Sequence, residues 1–130
     1  RLARTRGVND MQLAQLANRD AFMAAAKANG TEAYYAQLAE EFDLTFEQAL
    51  DVDGQCIYWF WLHWGQYRSQ NAPEDIEELG QTIGKFYNLP ANRYCWHHSP
   101  YGKALLEESF VRFVEDSMAR WKPEAQLHAP

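Results

Sequence analysis

Cys56, His63, Cys95, His97 and His98 carry side chains that bind soft metals or attack electrophiles. Four of them could complete a tetrahedral zinc site, but the spacing opposes it. On a helix Cys56 and His63 stand two turns apart, about 10.5 Å along the axis, whereas two ligands sharing one ion sit about four residues apart. His97 and His98 are adjacent and project in different directions. The pattern predicts no metal site and no cofactor, only two buried thiols and loop histidines hydrogen-bonded to backbone. Cys95 beside His97 invites a thiol nucleophile, which needs contact with a base and a lowered thiol pKa. No motif of a cysteine enzyme surrounds it, so no catalytic residue is assigned.

The acidic motifs read in the same way. Asp51-Val52-Asp53-Gly54 resembles part of a calcium loop, but the register puts Ala49 and Phe60 where oxygen donors are required. It is expected to be a turn with helix-end carboxylates. Glu40, Glu41, Asp43, Glu107 and Glu108 lack the Glu-x-x-His pattern of a di-metal bundle and predict solvated helix faces. Residues 36–50 have the outline of a helix-turn-helix, yet the second helix would offer Glu47 and Gln48 and no cation to a phosphate or base. A net charge of -6 likewise excludes a nucleic-acid partner.

Aromatic residues form 15% of the chain, with five Trp, seven Tyr and seven Phe. Each buries about 150–250 Å² when enclosed, so they must fill a core, a pocket or an interface. Trp59, Trp61, His63, Trp64, Tyr94, Trp96, His97 and His98 have the composition of a small-molecule site, apolar walls with a few polar tips. A plain aromatic core is the alternative. A protein interface is the third reading, since Trp and Tyr are enriched there.

The elements that would position these residues are helices. Residues 1–8, with Arg1, Arg4 and Arg6, read as a flexible basic arm, residues 9–122 as a single helical domain and 123–130 as a flexible tail. Asn9 or Asp10 caps a first helix, Asp20 a second that runs to Ala28, and Gly30 stops it. A third starts at Thr31 with Tyr34, Tyr35, Leu38 and Phe42 on its apolar stripe. Thr45 and Gln48 have capping-box spacing and open a short helix through Leu50, closed by Asp51 to Gly54. Residues 57–62 are apolar under either period. With no second strand to pair with, they are assigned to a buried, inward-facing helix from about Gln55 to Ser69. Pro73 starts an amphipathic helix lined by Ile76, Leu79, Ile83 and Phe86. Gly80 and Gly84 within it predict close approach of another element, such as one bearing a bulky Trp. Pro90 is expected to end that helix, Ala91 to His98 to form a loop, and Ser99-Pro100 to start a last helix reaching Trp121. The fold class is all-α, a compact bundle of about five to six helices. The longest apolar run, Cys56 to Leu62, is far short of the roughly 20 residues a membrane span needs.

Residues 11–50 resemble the Nif11-type leader domain. The matching residues are Asp20, Phe22, Leu38, Ala39, Glu40, Phe42, Thr45 and Leu50. In that family the helical leader is recognised by enzymes that modify a following core peptide, so the resemblance implies a small helical recognition module. Together with the lack of a catalytic signature, it leads to an expected function. The chain is a non-catalytic protein-binding accessory or recognition module whose partner is another protein or a second copy. The alternative is a ligand-binding or catalytic domain with an aromatic and histidine-lined pocket for a small apolar ligand. Two unbridged thiols predict a reducing, cytoplasmic setting.

Overall fold

The computed structural model describes residues 27–28 and 30–122. The expected basic arm, the tail and almost all of the first two helices, with Asp20 and Phe22, lie outside these residues. The chain divides into two units, 1–33 and 34–130, and the hydrophobic core described here belongs to the second. Among the described residues there are five α-helices, one short 3-10 turn and no strand, so the fold is all-α. The helices are α1 (Glu32–Glu41), α2 (Phe46–Ser69), α3 (Pro73–Tyr87), α4 (Pro90–His98) and α5 (Glu108–Arg120), with the 3-10 turn at Lys103–Leu105. No helix among the described residues is long and apolar enough to cross a membrane.

Asp43, in the left-handed region at φ 53, turns the chain out of α1, and the Leu44 N–H closes that helix end on Ala39 O at 2.8 Å. A short polar side chain tolerates this conformation better than most. α2 then opens on the capping box its sequence predicts. Thr45 Oγ1 accepts from Gln48 N at 3.1 Å, and Gln48 Oε1 accepts from Thr45 N at 2.9 Å. The expected turn at Asp51 to Gly54 does not occur, and the helix runs unbroken to Ser69. The reason is a buried stripe, Ala49, Asp53, Cys56, Phe60 and His63, that recurs in steps of four and three. Breaking the helix would take Ala49 and Asp53 out of line with the rest. Burial of that stripe outweighs the roughly 1 kcal/mol that Gly54 costs a helix.

α3 begins at Pro73 as predicted and ends where Asn88 caps it. The Asn88 Nδ2 donates to Gly84 O and to Met118 O, both at 2.8 Å. Pro90 does not lead into a loop. Leu89 is extended, and Pro90 takes the first position of α4, where a missing N–H is harmless. The segment expected as a loop is therefore a helix, and it drives Cys95 and Trp96 into the core. Ser99 is also reassigned. It ends α4 instead of capping the last helix, because its hydroxyl is already used, accepting the Tyr101 N–H at 3.2 Å and donating to Asp53 at 3.3 Å. The last helix starts eight residues later than Pro100, at Glu108.

Leu38, Phe60, Ile83, Tyr87, Cys95, Trp96, Phe110 and Val114 form the fully enclosed centre, to which α1 to α5 all contribute. The most extensive helix pair is α3 with α5. Gly84 permits it: a Cβ there would run into the Ser117 carbonyl oxygen and lie 2.6 Å from Trp121 Cβ. The predicted close approach, and the Trp, are both present.

Candidate functional site

α2 carries residues on two opposite faces. The inner stripe meets α3 and α4. Phe60 lies 5.0 Å from the Tyr87 ring and edge-on to Trp96 at 5.2 Å. The outer face is a different matter. Tyr58 is 53% exposed, Trp59 and Trp61 are each 40% exposed and Leu62 is 38% exposed. The expectation of an inward-facing helix thus holds for one face only. A helix apolar all round is ordinarily enclosed all round, and this one is not.

The eight residues predicted as a site fall into three places. His63 and Trp96 belong to the core. His63 shares a 3.0 Å hydrogen bond between Nδ1 and the Tyr87 hydroxyl, and burial lowers its pKa to about 4, so the ring is neutral at pH 7. Trp96 is fully enclosed, its Nε1 without a hydrogen-bond partner among the described residues. Trp59 and Trp61 lie on the outer face of α2, Trp59 stacked on His63 at 5.8 Å and Trp61 edge-on to Trp64 at 5.5 Å. Trp64, on the flank, donates to Glu107 at 3.4 Å and lies under the Arg68 guanidinium at 5.2 Å. Tyr94, His97 and His98 sit on the surface side of α4. Tyr94 meets His98 at 4.6 Å and Phe42 at 5.7 Å. His97 faces Lys103 and Glu115 at 3.2 and 3.8 Å. Tyr94 also lines a cleft of about 460 Å³ with Gln37, Glu40 and Glu41.

Sequence reasoning missed the most ordered polar group. Asp53, expected in a turn, is fully buried mid-helix. Its carboxyl accepts from Tyr34 at 2.8 Å, Tyr35 at 3.1 Å and Ser99 at 3.3 Å. Burial raises its pKa, and these hydrogen bonds oppose the rise. Cys56 donates to Asn92 Oδ1 at 3.2 Å. Its own hydrogen bond with Cys95, and then burial, hold the Cys56 thiol well above the ordinary range. Both cysteines are free and buried. This cluster joins α1, α2 and α4 through donors and acceptors that already satisfy one another, which suits a structural tie rather than a site that turns over substrate. The signal that could have found it is the register: Asp53 falls on the same four-and-three stripe as Cys56, Phe60 and His63.

Among the described residues no three of His, Cys, Asp and Glu gather closely enough to hold a metal ion. Among the described residues the large apolar side chains open to the outside are Tyr58, Trp59, Trp61 and Leu62 together on α2, and Leu89 and Leu105 elsewhere. Neither a family model, nor a curated protein, nor a solved structure matches this chain.

Proposed function

We propose that this chain is a non-catalytic helical protein-binding module whose docking surface is the outer face of α2. The observation that carries the reading is the exposure of Tyr58, Trp59, Trp61 and Leu62 side by side on one rigid helix. At 40–53% exposure, each of the three aromatic rings leaves on the order of 100 Å² in water, so covering it is worth about 2 kcal/mol as an upper bound. Contiguous apolar surface of this kind marks interaction sites. Trp and Tyr are the residues that most often dominate binding energy. The resemblance of residues 11–50 to a leader recognised by other proteins agrees with a recognition role. Two reduced, buried thiols fit a reducing, cytoplasmic setting.

The test is affinity capture with the immobilised full chain and its Trp61→Glu variant, compared at equal thermal stability. A protein retained by the parent and lost with the variant is the expected result. Equal retention by both would refute the reading, as would no retention by either from a chain that also stays monomeric.

A further inference from the structure

On the reading that the outer face of α2 is a docking surface, we propose that its occupant is a second copy of this chain, paired antiparallel about a two-fold axis. α2 carries a second stripe. Glu47, Asp51, Gly54, Tyr58, Trp61, Gly65 and Arg68 recur in alternating steps of four and three, the spacing of a helix–helix seam. All are exposed except Gly54, which is half-buried. Read from the N-terminus, the stripe runs acid, acid, glycine, aromatic, aromatic, glycine, cation. Turned end for end about the midpoint of Asp51–Arg68, it sets Asp51 against Arg68, Gly54 against Gly65 and Tyr58 against Trp61, with Glu47 left beyond the paired segment. A two-fold interface requires this self-complementarity, with the same patch used by both subunits. A parallel pair would set acid on acid and cation on cation.

The glycines support the same arrangement. Among the described residues a Cβ at Gly54 or at Gly65 would meet nothing within 4 Å. Each is a mid-helix glycine, about 1 kcal/mol worse than alanine for the helix, and neither serves a close approach among the described residues. Gly84 shows how the fold employs such a residue, by letting α5 press against α3. Side chains on a helix lean toward its N-terminus. In the antiparallel pair the partner's Tyr58, rooted opposite Trp61, therefore reaches toward Gly65, where no side chain obstructs it. The paired seam from Asp51 to Arg68 is about 26 Å long at 1.5 Å per residue. A single helix pair of that length covers less than the roughly 800 Å² per partner of a standard interface, so the dimer is expected to be weak and reversible.

Sedimentation equilibrium of the full chain, up to about 500 μM because micromolar dissociation constants are expected, tests this. A monomer–dimer equilibrium is predicted, weakened about tenfold or more by Trp61→Glu or Gly65→Leu, with thermal stability at low concentration unchanged by Trp61→Glu and raised by Gly65→Leu through helix propensity. Charge reversal fixes the register. Asp51→Arg alone and Arg68→Asp alone each set like charges together and dissociate. An equimolar mixture of the two restores both opposite-charge contacts and re-forms a dimer. Circular dichroism of each variant establishes that it folds. A parent chain that stays monomeric at the highest concentration overturns the proposal, as does a mixture no more associated than its components. If the parent is monomeric yet retains another protein in a Trp61-dependent way, the second copy is excluded and the docking surface stands. If it is monomeric and retains nothing, both fall.

Discussion

Replacing Gly84 by alanine tests the closest helix contact in the fold. The new Cβ would meet the Ser117 carbonyl oxygen and lie 2.6 Å from Trp121 Cβ. Neither neighbour is the end of a flexible side chain, so α3 and α5 must move apart. That movement loosens Ile83 and Val114 and lengthens the bonds from Asn88 Nδ2 to Met118 O and Trp121 O, now 2.8 and 3.5 Å. Overpacking of this kind costs about 2–3 kcal/mol, against a gain of about 1 kcal/mol in helix propensity. The net expectation is a loss of about 1–2 kcal/mol, which for a chain of this length lowers the thermal midpoint by roughly 4–8 °C. Gly80→Ala is the internal control. Its Cβ would lie 3.2 Å from Ser117 Oγ and 3.5 Å from Phe113, and a serine hydroxyl can rotate away. That variant should be neutral or slightly more stable. Urea unfolding of the pair, followed by far-ultraviolet circular dichroism, gives both numbers. A Gly84→Ala protein as stable as the parent would refute the close approach of α3 and α5.

Three further outcomes rest on the buried groups. His63 is held near 4 rather than 6.5 by burial. Between those values the unfolded chain holds a proton that the folded protein lacks, so stability falls as pH drops through that window, by as much as about 3 kcal/mol. His63→Phe should flatten that part of the profile in pH-dependent denaturation. Asp53 has the opposite sign, because its pKa is raised in the folded protein. Stability conferred at low pH is lost as pH rises from 3.8 through the folded value, and Asp53→Asn should remove that dependence. Asp53→Ala should cost roughly 2–4 kcal/mol, since the Tyr34, Tyr35 and Ser99 hydroxyls lose a common acceptor. The two cysteines are buried and unbridged. A thiol reagent should label neither in the native protein and both in urea, as read by intact mass.

Much of the architecture is legible in local signals. The Thr45 and Gln48 capping box, Pro73 at the start of α3, and Gly30 at φ 73 after a helical turn each do what their chemistry predicts. The glycine pair in α3 also announces its neighbour. The errors share one cause, that tertiary burial overrides local punctuation. Asp51 to Gly54 has turn composition, but Ala49 and Asp53 are needed inside, and the helix continues. Pro90 stops one helix and starts the next, a dual use that composition does not distinguish. Ser99 has the chemistry of an N-cap, but its hydroxyl serves Asp53. The exposed face of α2 was hidden for a related reason. Residues 57–62 are all apolar, so no periodicity separates Phe60, which is enclosed, from Trp59 and Trp61, which are not. Only the flanking residues of the stripe, Asp53 and Cys56 within and Gly54 and Gly65 without, reveal which side is which.

The central claim is that neighbouring aromatic residues on α2 have different tasks, those inside holding the fold and those outside left for a partner. The most direct measurement is chemical denaturation of Phe60→Ala and Trp61→Ser side by side, at protein concentrations low enough to keep the chain monomeric. Phe60→Ala is predicted to lose about 3–5 kcal/mol, and Trp61→Ser to remain within roughly 1 kcal/mol of the parent. A comparable loss in both would contradict the account, because Trp61 would then be part of the core.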